Sequence, residues 1–218
     1  MAWRSWCPKP QVRDAVARLK ESGLAVVALV SDLPNSQRDF FVGVNSIAAG
    51  RTAGLLMGRF VHRPGEVLVV TNSLRSRDSL ERRLGFDAVL AQDFAGLRAL
   101  PTIESHGDAE RMAALVESAA RRRAGLVGVY SMGAGNAALL EGLRRSGRLG
   151  DLVVLAHELT PATQAALRAD ELAAVIAQNV GHLVRSALRV LRGLCDEAPI
   201  FEAQERVRIE VILRENLG

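Results

Sequence analysis

The sequence predicts an α/β fold of doubly wound parallel sheets, and three observations predict it. Apolar residues recur at helical spacing in stretches that alternate with short, nearly unbroken apolar runs. Glycine and polar turn residues separate the two kinds of stretch. At 218 residues with 49% hydrophobic side chains, the chain can bury a substantial core, as one large domain or two small lobes.

The elements follow in order. Val12, Ala15, Val16 and Leu19 mark one face of a first helix, and Gly23 supplies a left-handed stop. Residues 25–30 are an unbroken apolar run, as in a parallel strand covered on both faces. A strand at 42–44 leads to a helix at 48–61, where Ala49, Gly50, Ala53, Gly54 and Gly58 let a neighbour pack closely. Strands at 66–70, 103–104, 126–130, 152–155, 174–176 and 206–213 then alternate with helices at 79–91, 109–122, 135–145, 161–168 and 181–194. Strands joined by crossover helices run parallel, with helices on both faces.

Composition narrows the function. The formal charge of +4 and a pI near 9.8 raise the question of nucleic acid. The arginines, however, are interspersed with acids, and the one tight cluster, Arg121-Arg122-Arg123, closes a helix, where cations oppose the dipole. Aromatics at 4% leave no stacking platform for bases, and no helix-turn-helix pattern is present. No run of 18 uncharged apolar residues spans a membrane, and residues 1–10 do not read as a signal peptide. Cys7 and Cys195 sit in no metal or redox spacing, so the expected location is the cytoplasm and no metal or cofactor is expected.

In doubly wound sheets ligands bind beyond the carboxyl ends of the strands, so the residues after each strand are the site candidates. They are polar: Asp32, Asn45, Asn72, Ser73, Arg77, Asp78, Ser131, Asn136, His157, Glu158, Gln178 and Asn179. Amides, hydroxyls, carboxylates and guanidinium groups match the donors and acceptors of a polyol. No catalytic set is assembled, and an enzyme is not expected; His157 with Glu158 is the one pair that would make one.

Ser31-Asp32-Leu33-Pro34 with Arg38, Phe41 to Asn45, and Ala49 to Gly54 resemble the middle of the regulatory domains of LacI/GalR-type repressors, cousins of periplasmic sugar-binding proteins. Arg82 to Phe86, Tyr130 to Asn136, Ala156 to Thr160 and Val175 to Gln178 continue the resemblance in the family's order. The resemblance implies a two-lobed periplasmic-binding-protein-like type I fold, two sheets joined by a hinge, with the first lobe incomplete at its N-terminus. The first lobe is then expected at 1–61 plus 180–205 and the second at 62–179 plus 206–218.

Residue by residue, the resemblance makes Arg82 the arginine that forks onto ligand hydroxyls, with an ion pair to Asp78 as the competing role. His157 falls where most members carry an aspartate, and Glu158 beside it can supply the missing acceptor. Arg77 and Asp78 lie on the loop that varies with ligand class; Ser131 stands for a frequent asparagine, and Asn136 either compensates or caps its turn. Gln178 and Asp32 divide between ligand contact and hinge structure. The function implied is the effector domain of a LacI-type repressor, binding a small sugar or polyol between its lobes as a homodimer. Operator DNA would be a partner only through a helix-turn-helix outside these residues, and no membrane partner is expected. The alternative is the periplasmic sugar-binding component of an ABC transporter.

Overall fold

The computed structural model describes residues 10–218. Trp3, Trp6 and Cys7 lie outside the described residues. Helix α1 (Pro10–Glu21) leads into strands β1 (Val27–Leu29) and β2 (Phe40–Val42), which pair in parallel as a small two-stranded sheet. Gly23, at φ +76°, makes the turn out of α1, and Lys20 then reaches Asp39 at 2.7 Å, tying the helix to the entry of β2. Helix α7 (Val180–Cys195) covers this sheet: its Leu183, Ala187 and Val190 pack with Val42, Val44 and Val207 in the smallest of the apolar cores. The short α8 (Glu202–Glu205) is pinned to α7 by a fork from Arg189 to Glu205.

The second lobe is a much larger sheet. Its strands are β3 (Gly65–Thr71), β4 (Leu97–Ala99), β5 (Ile103–Glu104), β6 (Leu126–Ser131), β7 (Val153–His157), β8 (Ala174–Gln178) and β9 (Ile209–Ile212), in the order β4-β3-β6-β7-β8-β9 with β5 continuing beside β3. Alternation along β3 shows how it is held. Val67 and Val69 face one core, Leu68 and Val70 the other, and all four are at most 2% exposed. Burying such side chains contributes about 1.5–3 kcal/mol each, so the double-sided strand is the mechanical centre of the lobe. One face is covered by α4 (Ala109–Arg122), α5 (Asn136–Ser146) and α6 (Pro161–Arg168), through Met112, Val116, Leu139, Leu143 and Leu167. The other is covered by α2 (Ser46–Phe60) and α3 (Arg77–Asp93), through Ala49, Ala53, Met57, Phe86 and Leu90.

The two-lobed α/β fold is the expected one; β4 and α8 were not expected, β2 starts two residues before the expected 42–44, and two further differences concern how the lobes are built. Helix α2 packs on the large sheet rather than on the first lobe, so residues 46–60 leave the 1–61 segment assigned to that lobe. Its apolar face and its contact with α3 are the reason. A Cβ on Gly50 would collide with the backbone of Arg82, and one on Gly85 with the backbone of Ile47, so the two helices touch main chain to main chain. Strand β9 runs antiparallel to β8, Gln178 facing Ile209, because the chain leaves the large sheet at the end of β8 and returns from the first lobe through Val207.

Candidate functional site

The carboxyl ends of β3, β6, β7 and β8 converge beside the start of α3. The Gly50 and Gly85 contacts set the height of α3 against the sheet, and therefore the position of Arg82. Arg82 is 3% exposed. Its Nη1 donates to the Met132 carbonyl at 2.6 Å, and its Nη2 meets Glu158 Oε1 at 3.4 Å. Asp78 Oδ2 stands 4.0 Å from Nη1, beyond hydrogen-bond reach, and the buried Nε has no partner. The competing role of an ion pair to Asp78 is thus the weakest of these contacts.

Glu158 holds its place against backbone strain. At φ +71° it sits in the left-handed region, which costs a residue with a Cβ about 1–3 kcal/mol. The strain is retained by its N–H donating to Ile176 O at 3.0 Å and by Thr163 Oγ1 donating to its carbonyl at 2.9 Å. Its Oε1 also accepts from Gln178 Nε2 at 3.1 Å. The result is a cavity of about 170 Å³ lined by Thr71, Asn72, Ser73, Asp78, Arg82 and Glu158 with the 132–134 turn.

A wider cavity of about 640 Å³ opens where the first lobe faces this one, with Asp32, Phe41 and Asn45 on one side and Arg77, Asp78 and Glu81 on the other. Asp78 lines both cavities, and its Oδ1 accepts from Ser31 at the end of β1 at 2.9 Å, a hydrogen bond that crosses between lobes. Asp32 is forked onto Arg38, Nε at 2.5 Å and Nη2 at 2.8 Å. Arg77 is paired with Glu81 at 2.6 Å.

The structure therefore brings Arg82, Asp78 and Glu158 together, places Arg77 and Asp32 on the rim, and sets four other candidates beneath the floor. His157 is 2% exposed and points into the core, where its Nε2 hydrogen-bonds the Tyr130 hydroxyl at 2.8 Å. Tyr130 in turn stacks on Phe86, ring centres 4.5 Å apart. Burial, and then the nearby Arg82 charge, hold the imidazole well below the ordinary histidine pKa, so it is neutral. His157 and Glu158 consequently form no acid–base pair: one side chain is sealed in the core, the other faces the cavity. Ser131 Oγ donates to Asn136 Oδ1 at 2.6 Å and Asn136 Nδ2 donates to His157 O at 2.7 Å, so both side chains are spent on locking the β6–α5 turn. Gln178 is 8% exposed, and its Oε1 has no partner.

Residues that strand-end reasoning passed over also line the site. Thr71 and Ser79 share a hydroxyl hydrogen bond at 3.0 Å on the cavity wall, and the Met132 carbonyl anchors Arg82. Ser79, one position past Asp78, was findable from helical spacing toward Arg82; a main-chain carbonyl carries no sequence signal. Among the described residues no group of three His, Cys, Asp or Glu side chains could hold a metal ion, and no helix is long and apolar enough to cross a membrane.

Residues 8–198 match a family described as the periplasmic binding protein domain. The chain belongs to that family. Periplasmic binding protein domains of solved structure share its fold. A glucose-galactose binding protein from Geobacillus stearothermophilus matches at 19% identity and TM-score 0.85, covering 94% of this chain and 73% of that one. An ABC transporter solute-binding protein from Burkholderia graminis, solved with D-arabinose, matches at 25% identity and TM-score 0.85, covering 96% and 74%. One from Agrobacterium vitis, bound with α-D-tagatopyranose, matches at 16% and TM-score 0.86, covering 95% and 72%. No curated protein matches this chain significantly by sequence.

Proposed function

We propose that this periplasmic binding protein domain binds a small sugar or polyol between its lobes and serves as a solute-binding component of a sugar transporter. The observation that carries the binding reading is Arg82: a buried guanidinium on the cavity wall, anchored through Nη1, with Nε unpartnered and Nη2 only loosely held. A planar guanidinium supplies only N–H donors, which ligand hydroxyl oxygens can accept. The transporter role is supported by the proteins the fold resembles, sugar-binding proteins of ABC transporters among them. The repressor reading rests on the resemblance of short segments and has no support from those comparisons. Operator DNA, a homodimer and a cytoplasmic location belong to that reading; the transporter reading places the domain outside the cytoplasmic membrane.

Hinge closure supplies the mechanism for either role. A ligand that touches both lobes favours the closed arrangement only by its difference in affinity for the two. Asp78, which already bonds Ser31 across the lobes, is where such a difference would be felt. Isothermal titration with arabinose, galactose, glucose and tagatose tests the proposal. Saturable binding with the sugar recovered unchanged is expected; consumption of the sugar would reassign the domain to an enzyme, and indifference to all four would reject the sugar reading.

A further inference from the structure

The inner cavity holds the means to sort ligands by charge, and this argument rests on the sugar-binding reading above. The charged residues lining it are Asp78, Arg82 and Glu158, two carboxylates to one guanidinium. One guanidinium is shared between the two carboxylates and cannot balance both charges. Its shortest bond goes to a main-chain carbonyl, and the carboxylates lie 3.4 Å and 4.0 Å away.

Each carboxylate therefore keeps one oxygen with no donor among the described residues. Asp78 Oδ1 accepts from Ser31 and Ser76 while Oδ2 accepts from nothing, and Glu158 Oε1 accepts from Arg82 and Gln178 while Oε2 accepts from nothing. Arg77, on the rim of the outer cavity, is occupied by Glu81. An ionised carboxylate only accepts hydrogen bonds, so the vacant valences here call for donors. A hydroxyl or an ammonium group supplies them. A carboxylate or phosphate on the ligand supplies only further acceptors, and a third negative charge.

We propose that this cavity selects polyols without an anionic group and favours those bearing an amine, rejecting sugar acids and sugar phosphates. Glu158, fixed in its left-handed backbone by Thr163 and Ile176, is the residue that sets the preference.

Matched probes test it: glucose, glucosamine and glucuronate, and the same three derivatives of galactose, titrated calorimetrically at pH 7 against the whole chain. Within the scaffold that binds, the amino sugar is expected to bind more tightly than the neutral sugar, and the uronate at least about tenfold more weakly; an amino sugar weaker than the neutral one overturns the amine preference. In Glu158→Gln, which keeps the size and a donor–acceptor group, the uronate's handicap should shrink several-fold. Melting of the unliganded variant checks that it is folded, and Asp78→Asn provides a second neutralised carboxylate if it is not. A uronate that binds as well as the neutral sugar, or a handicap unchanged in both variants, overturns the charge preference and leaves sugar binding standing. Silence from all six probes overturns the sugar reading and this inference together.

Discussion

Two arginine–carboxylate pairs, one in each lobe, are built differently. On the first lobe Arg38 grips Asp32 with both ends of its fork, at 2.5 and 2.8 Å, and leans over the ring of Phe41. On the second lobe Arg82 is far more buried, yet it leaves Glu158 at 3.4 Å and its own Nε unbonded. The first pair has spent its valences on itself and acts as loop scaffold. The second has been positioned at some expense, with a strained Glu158 and a glycine contact beneath it, and its valences are open. Unsatisfied polar atoms that a fold has gone to lengths to place are the better guide to a binding site than ion pairs that are complete.

The largest test of this contrast is Arg82→Ala. On the proposed sugar-binding role, removing this buried guanidinium should weaken sugar binding by about 100-fold or more, since hydrogen bonds to charged groups contribute about 1.5–3 kcal/mol each. Arg82→Lys keeps the charge but loses the planar fork, and about tenfold is expected there. Calorimetry on both variants reads the result; equal affinity for wild type and Arg82→Lys would show that only the charge matters.

Next in size is Gly50→Ala, which touches no ligand. Its methyl would press on the Arg82 main chain, forcing α2 and α3 apart, and overpacking of this kind costs about 1–3 kcal/mol. Denaturant unfolding should show that loss, with weaker sugar binding in the folded fraction. A comparable change at Gly150, where a Cβ meets nothing, should be neutral.

The sequence carried the scaffold of this contrast more fully than its chemistry. Periodicity placed most of the strands and helices because burial on two faces leaves an apolar run, and β3 and β8 are such runs, whereas the three-residue edge strand β4 left no run to read. The small residues of the 48–61 helix announced a close neighbour without saying which; only the fold shows that the neighbour is α3, which moved α2 to the larger lobe. At the site, position after a strand end selected His157 and Glu158 together. His157 is the last residue of β7 and points into the core, whereas Glu158 lies just past the strand with a left-handed backbone that turns it to the cavity, a reversal no sequence pattern announces. Ser131 and Asn136 were legible as polar and turn-forming, while their mutual bonding depends on the three-dimensional path of the turn.

A smaller effect separates the two arginines through pH. Arg82 has a buried titratable neighbour, and the imidazole of His157 is neutral in the fold because burial and that guanidinium oppose its protonation. Its folded pKa lies below its unfolded value near 6.5, so the unfolded chain binds the proton first as pH falls. Stability is then fully present above about pH 6.5 and declines below it. His157→Gln, which can still hydrogen-bond Tyr130, should flatten the fall between pH 7 and 5 in thermal melts; an unchanged slope would assign the acid sensitivity to other groups.

The smallest expected effect is Arg38→Ala, and it is the one that divides scaffold from site most cleanly. The pair it breaks is partly exposed, at 23% and 17%, so solvent screening keeps its worth at about 1 kcal/mol or less. Asp32 lines the outer cavity, and freeing it returns an acceptor to that wall rather than removing one. Sugar affinity should therefore stay within about threefold of wild type, roughly 0.65 kcal/mol, while the melting temperature drops slightly as the 31–39 loop loosens. If Arg38→Ala instead costs as much affinity as Arg82→Ala, the completed pair is part of the binding surface and the open valences of Arg82 cease to mark the site.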